Sequence, residues 1–445
     1  MRMNNILIIG AGRSSGALIR YLLDKSKDNN WFVTVADADP KLAEAKVGGH
    51  PNGRAVWLDA TKTNDRRELI TRADVVVSLL PAFLHLEVAY DCIRLRKHLI
   101  NASYVSREMY SLADEARSRE LIFMGEMGLD PGIDHMSAMQ KIDEIRAKGG
   151  EITTFRSYTG GLVAPESDTN PWHYKFTWNP RNVVLAGQGT AQYLEDGKLK
   201  FIPYNRLFAE TRSIQVPGMG EYEVYANRDS LMYVKQYGLE GTPSVLRGTV
   251  RHKGFCSAWN ALVKIGMTDG EFPILHSDSL TYHELMEAFA PVGSGTVKER
   301  IAAMVGETPD SEVMSKIEWL GLFRKTKIRQ ANASPAAILE NILLDKWKLE
   351  PTDKDMIIMQ HEFEYLLEGK RHRLLSTMVM KGENEDDTAM SRLVGLPLGI
   401  FVRLVMEGGI HLKGVQIPVM KEVYEPVLAE LAQFGVTFHE EETIL

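Results

Sequence analysis

Cysteine is scarce in this chain: Cys92 and Cys256 are the only two among 445 residues. Two separated thiols exclude a disulfide framework and the paired spacing of structural zinc sites, and they fit a reducing, cytoplasmic setting. Excess positive charge is also missing. Lys and Arg number 52 against 59 Asp and Glu, a net charge of −7, so no general basic surface recommends nucleic acid or an anionic membrane as partner. No window reads as apolar for long enough to cross a bilayer, and Arg2 is the only basic residue before the first strand-length apolar run, so the chain reads as unexported and free of the membrane. Internal repeats and low-complexity tracts are absent. So are HExxH and clustered His and Cys; His135 beside Asp134 is therefore not read as a ligand, no metal is expected, and Asp134 reads as the cap of the helix that follows.

What the sequence does hold begins at its start. A short apolar strand, Asn5 to Ile9, runs into Gly10, Gly12 and Gly16 and then into a helix-forming segment. Gly10 permits a tight turn, Gly12 a close approach of backbone to a pyrophosphate, and the free N–H groups of the following helix attract phosphate. Ser15 stands where the usual fingerprint has its third glycine, so Gly16, one place late, is expected to serve helix-to-strand packing. The second strand ends in Asp37, at the distance where an acid contacts a cofactor ribose.

Strand-like runs alternate with amphipathic segments up to about residue 125: Ile6 to Gly10, Phe32 to Ala36, Ala55 to Leu58, Asp74 to Leu80, His98 to Asn101 and Leu121 to Met124, with helices such as Leu84 to Arg96 and Ser106 to Glu120 between them. This is the pattern of an α/β protein with a doubly wound parallel sheet, a Rossmann domain over 1–130. A second, α+β substrate domain is expected over 131–390, with a helical cap at about 281–347 that buries an apolar stripe. The remainder, 391–445, reads as helices returning to the first domain around a strand at Gly414 to Ile417. The stretch from Ser157 to Asn182, with two glycines and three prolines, reads as more loop than core.

In an open α/β sheet the ligand crevice lies at the C-terminal strand ends. Those ends carry Leu80, Pro81 and His85, then Asn101, Ala102, Ser103 and Tyr104, then Glu126 and Gly128 to Gly132 with Asp130. His85 reads as a helix-start histidine bonded to backbone. The run Gly128-Leu129-Asp130-Pro131-Gly132-Ile133-Asp134-His135, the segments Ser157 to Leu162, Ala164 to Glu166 and Tyr174 to Phe176, the runs Asn227 to Ser230 and Leu246 to Thr249, and Val394 to Pro397 closely resemble the glutamate-forming saccharopine dehydrogenase (saccharopine reductase) family.

The resemblance implies an NAD(P)-dependent oxidoreductase that interconverts saccharopine with glutamate and 2-aminoadipate 6-semialdehyde. It implies substrate contacts at Ser103, Tyr104, Asp130, Trp178, Arg228, Thr249, Val250 and Arg251. It implies cofactor contacts at Gly10, Gly12, Arg13, Ser14, Ser15, Asp37, Ala38, Asp59, Ala60, Leu80, Pro81, Leu129, Asp130, Pro131 and Asn179. Arg228 and Arg251 suit the carboxylates of such a substrate, because a guanidinium grips a carboxylate through two parallel hydrogen bonds. Asp130 is the expected proton acceptor, with Tyr104 second. Members often carry a Cys-Arg pair after the second strand, whereas this chain has Asp37 and Ala38. A carboxylate there accepts from a free ribose hydroxyl and repels a 2′-phosphate, so NAD is expected over NADP, with Arg13 able to soften the preference. Thr159 replaces a cysteine found in some members, which excludes thiol chemistry there. A carboxynorspermidine dehydrogenase or a non-catalytic dinucleotide-binding regulator are the alternatives, and a homodimer is possible.

Overall fold

The computed structural model describes residues 3–445. Among them run β1 (Asn4–Ile9), β2 (Trp31–Asp37), β3 (Gly53–Trp57), β4 (Val75–Ser78), β5 (His98–Asn101), β6 (Ile122–Met124), β7 (Glu151–Val163), β8 (Ala191–Glu195), β9 (Lys198–Ile202), β10 (Thr211–Val216), β11 (Gly220–Ala226), β12 (Ser244–His252), β13 (Asp355–Leu367), β14 (Lys370–Lys381), β15 (Gly414–Gln416) and β16 (His439–Ile444). They divide between two compact units, Met1–Gly149 with Gly382–Phe438, and Gly150–Lys381 with His439–Leu445.

The first unit holds a seven-stranded sheet in the order β15-β6-β5-β4-β1-β2-β3, parallel throughout. Its central strands are near-continuous apolar runs, Ile6 to Ile9 and Val75 to Val77, buried on both faces as a helix-covered parallel sheet requires. The strand order reverses between β1 and β4, and Gly10 sits there with φ +110; a Cβ on it would stand 2.9 Å from Leu79 O. The expected helix from Ser106 to Glu120 is two, Arg107–Tyr110 and Ala113–Ser118, parted where the Ser111 hydroxyl turns back to Glu108 O at 2.6 Å.

The unit boundary lies later than residue 130. Helix Ile133–Ala147 belongs to the first unit because its buried face packs on helix Lys421–Gln433, with Tyr424 donating to Asp143 Oδ2 at 2.5 Å. The returning segment likewise begins at Gly382 instead of 391, and the last strand, β16, pairs within the second unit.

Two expectations change at helix Ala389–Met406. It is long and apolar enough to cross a membrane by length and composition, contrary to the sequence reading, but most of it is buried inside the protein. Its partner is helix Gly16–Asn29. Gly395 and Gly399 make the close approach: a Cβ at 395 would stand 2.6 Å from Leu18 N, and one at 399 would stand 2.6 Å from the Tyr21 ring. Gly16, expected to serve strand packing, instead faces Ser391 Oγ, 3.5 Å from where its Cβ would be. Gly395→Ala is therefore expected to destabilise the protein by about 1–3 kcal/mol, because the added methyl meets backbone that cannot yield. Urea unfolding followed by circular dichroism measures this, and an unchanged midpoint would show that the two helices separate freely.

The second unit is built on a mixed sheet in the order β10-β11-β12-β7-β13-β14-β16, with β8 and β9 at the side. Only β12 and β7 pair in parallel. Ser157 to Val163, expected as loop, is the second half of the long strand β7. Gly160 is there because a Cβ would lie 2.5 Å from Val250 O on the neighbouring strand. The rest of that stretch has no strand and exposes Pro165, Glu166 and Asn179, but within it Trp172, Tyr174 and Phe176 are buried and pack against Phe255, Trp259 and Trp347. The four helices between 282 and 346 bury Leu285, Ile301, Ile317 and Leu339 in the same cluster as Tyr158 and Val250 of the sheet. They form a layer of this unit's own core.

Candidate active site

In the first unit the glycine loop is held from three sides. Ala11 N–H donates to Asp37 Oδ2 at 2.6 Å, Ser15 Oγ donates to Gly12 O at 2.8 Å, and Lys46 Nζ donates to Gly12 O at 2.5 Å and Ser15 Oγ at 3.0 Å. Burial lowers the pKa of Lys46, with Asp386 and Asp37 opposing the shift and Arg20 adding to it. Gly12 and Arg13 stay exposed, and nothing lies within 4 Å of where a Gly12 Cβ would stand. Exposed backbone at a strand-to-helix turn, beside a sheet's switch point, fits a dinucleotide. Sequence reasoning missed Lys46, which lies in the last turn of the helix Pro40–Val47 that Asp39 caps. Around the same rim, Asp59 accepts from the N–H and hydroxyl of Thr61, which holds its carboxyl below the usual range, and Ala38, Leu80 and Pro81 follow strand ends.

The ends of β5 and β6 bring the expected chemistry together. Tyr104 OH donates to Asp130 Oδ1 at 3.2 Å. Asp130 rides on a closed loop in which Gly128 N donates to Pro131 O, Ile133 N to Gly128 O and Asp134 N to Leu129 O. The Asp130–Pro131 bond is cis. Gly132 has φ +147, and a Cβ there would stand 2.1 Å from Gly128 O, so only glycine closes this ring. Asp134 is not the cap expected of it: Gly132 is the N-cap, and Asp134, in the first turn, accepts the Gly132 N–H at 2.6 Å.

Glu126, another residue just past a strand end, is fully buried. It accepts from Val105 N at 3.0 Å and meets His135 Nε2 at 2.8 Å, while its own N–H donates to Ser103 O. It therefore stitches the Ser103–Val105 segment to the Asp130 loop. His85 is not bonded to backbone as expected: its ring lies between the hydroxyls of Ser78 and Ser103. Both thiols are buried, and burial raises their pKa values, so neither Cys92 nor Cys256 is a nucleophile. No group of acids, histidines and cysteines suited to a metal occurs among the described residues.

The second unit gathers the other expected contacts about β12. Arg251 is 3% exposed, and its guanidinium stands 5.1 Å from the Tyr174 ring, 5.3 Å from Phe255 and 5.7 Å from Tyr225. NH1 donates to Val250 O, but Nε is buried with no hydrogen-bond partner. Thr249 lies opposite Tyr225 and Thr159 in the sheet, and the Thr159 hydroxyl is also buried without a partner. Orphaned donors of this kind are costly unless a ligand satisfies them. Trp178 Nε1 donates to Tyr174 OH at 3.3 Å, next to the exposed Asn179. Val250 is fully buried, its side chain turned to the core. Arg228 is exposed after β11 with φ +47, its carbonyl fixed by Gln192 N at 2.9 Å.

Residues 6–124 match the family model described as the saccharopine dehydrogenase NADP binding domain, and residues 128–436 match the saccharopine dehydrogenase C-terminal domain. The chain belongs to the saccharopine dehydrogenase family. It is 32% identical to "Saccharopine dehydrogenase [NADP(+), L-glutamate-forming]" of Schizosaccharomyces pombe over 99% of each chain. It is 33% identical to the mitochondrial alpha-aminoadipic semialdehyde synthase of Mus musculus, where it covers 99% of itself and 48% of that protein, about half the length of such relatives. Among solved structures it resembles the apo saccharopine dehydrogenase (L-Glu forming) of Saccharomyces cerevisiae, with a TM-score of 0.88 and 30% identity over 99% of this chain and 100% of that one.

These relations correct the expectation of NAD. The matched domain and the fission-yeast relative both carry NADP in their descriptions. The structure supplies a physical reason why Asp37 misled. Its carboxylate is occupied by the N–H groups of Ala11 and Asp39, and Lys46, which the sequence reading left out, shares its electrostatic surroundings. Asp37 is a loop-former within a mixed-charge rim, not an isolated anion facing a 2′-phosphate.

Proposed function

We propose that this chain oxidises saccharopine to glutamate and 2-aminoadipate 6-semialdehyde with NADP as cofactor. One observation carries the reading: the hydrogen-bonded pair of Tyr104 and Asp130, held at the C-terminal ends of two adjacent parallel strands where such folds present ligands. The bound nicotinamide supplies the hydride acceptor. Asp130 accepts the proton of the substrate's secondary amine and, once that proton has passed to solvent, is again a base for the water that then releases glutamate. Tyr104, donating to Oδ1, orients the carboxylate for that transfer. The glycine loop, with Arg13, holds the dinucleotide phosphates, and Lys46 keeps the loop in shape. In the second unit, the buried Nε–H of Arg251, unpartnered among the described residues and walled by aromatic rings, is a donor suited to a carboxylate.

Purified protein given saccharopine and NADP(+) is expected to produce reduced cofactor and glutamate in equal amounts. Release of lysine and 2-oxoglutarate instead would overturn the assignment. Arg251→Lys is expected to raise KM for saccharopine about tenfold or more, because the loss of one charge-assisted, desolvated hydrogen bond is worth that much. Steady-state kinetics at saturating NADP(+) checks this.

A further inference from the structure

A buried chain of three side chains ends beside the Tyr104–Asp130 pair. Ser78, the last residue of β4, is fully buried, and its Oγ lies 2.9 Å from His85 Nδ1; His85 Nε2 lies 2.7 Å from Ser103 Oγ. His85 itself is 5% exposed on the first turn of helix Ala82–Leu95. Burial pulls its pKa down to about 4, so the ring is neutral at neutral pH and carries one N–H and one lone pair.

The direction of the chain follows from its buried end. Ser78 Oγ has Nδ1 as its one hydrogen-bond partner among the described residues. A buried O–H that donates to nothing is costly, so Ser78 donates to Nδ1. Nδ1 is then the acceptor, the proton sits on Nε2, and Nε2–H donates to Ser103 Oγ. Ser103 has now accepted from His85, and its N–H is fixed on Asn101 Oδ1 at 2.9 Å. The Ser103 hydroxyl proton alone is unspent, at the half-buried end of the chain. An acceptor must come from outside, on the solvent-facing side of the half-buried Ser103.

We infer that His85 is a positioning residue: through its Nε2–H it locks the Ser103 hydroxyl as a donor to a carboxylate of the amino-acid substrate. The inference rests on the proposed reaction for the identity of that substrate, not for the chain itself. Removing the imidazole frees the Ser103 rotor and lets its proton turn inward.

Two measurements test it on the full chain. In the kinetic one, His85→Phe and Ser103→Ala each raise KM for saccharopine about tenfold, with little change in kcat or in KM for NADP(+). The double variant is expected to be no worse than Ser103→Ala alone, since His85 acts through Ser103. Additive losses, or a loss that falls on NADP(+) instead, would overturn the inference. Should His85→Phe not fold, Ser78→Ala takes its place, expected to raise KM in the native background and to change nothing in the Ser103→Ala background. The second measurement needs no substrate. Nitrogen-15 histidine spectra at neutral pH are expected to show His85 with a bare Nδ1 and a protonated Nε2, and the opposite tautomer would sink the proposal even if saccharopine is turned over. A chain that shows this tautomer but leaves saccharopine untouched would count against the proposed reaction and leave the hydrogen-bond chain standing.

Discussion

Asp130→Asn is expected to lower turnover about 10²- to 10⁴-fold, the usual share of a positioned general base. The substitution keeps size and keeps an oxygen for Tyr104 OH to donate to, so the closed Gly128–Gly132 ring has no reason to change. What it removes is the lone pair that takes the amine proton. KM for NADP(+) is expected to stay nearly constant, because the glycine loop and its supports lie on other strand ends. Tyr104→Phe should cost less, since it removes a donor that orients the carboxylate and leaves the base in place. Single-turnover measurement of reduced cofactor separates chemistry from product release. Turnover unaltered in Asp130→Asn would remove this carboxylate from the mechanism and move attention to water held by the ring's backbone.

Asp91→Ala is expected to cost about 3–5 kcal/mol of stability, the penalty for breaking a buried ion pair by deleting one partner. Asp91 and Arg66 are 1% and 2% exposed at their side chains. Asp91 Oδ2 accepts from Arg66 Nε at 2.6 Å, Oδ1 accepts from Arg67 Nε at 2.5 Å, and Arg66 NH1 also donates to Ala60 O at 2.6 Å. Losing the carboxylate leaves the buried Arg66 with only Glu87, 3.6 Å from its NH2, as counter-charge between helices Thr63–Arg72 and Ala82–Leu95. Denaturant unfolding measures the loss. A double variant, Arg66→Met with Asp91→Leu, should recover much of it, since a well-packed apolar replacement avoids the desolvation cost. If Asp91→Ala unfolds at the native midpoint, the pair is solvated in solution.

The parallel sheet was readable because strands buried on both faces are near-continuous Val and Ile runs, and each is followed by a turn. Ser103, Tyr104 and Asp130 were found for the same reason: they stand where such runs stop. Pairings formed by sequence-distant polar groups were not readable. For Glu126 only the strand-end position is local, whereas its bonds to Val105 N and His135 are set by the folded loops. His85 gave no hint of Ser78 and Ser103, which come from the end of β4 and from the loop after β5. Ser157 to Asn182 read as loop because glycine and proline outweigh hydrophobic pattern in a local view; Gly160 is in fact required by the closeness of β12. Strand β16 left no trace at all, since every residue of it is exposed and its run of acids lacks the apolar alternation of a half-buried strand.

The order in which the polypeptide visits its two units bears on how it can be cut and made. It leaves the first unit at Gly149, re-enters at Gly382 and departs again at Phe438. During synthesis, then, β6 waits without its outer neighbour β15, and helix Gly16–Asn29 waits without its partner helix, until residues 389–416 have been added. A recombinant fragment stopping at Gly149 would inherit that unpartnered helix and open edge permanently, and would aggregate. Splicing 382–438 directly after 149 through a short linker is the shorter gene from which a self-standing dinucleotide module could be obtained.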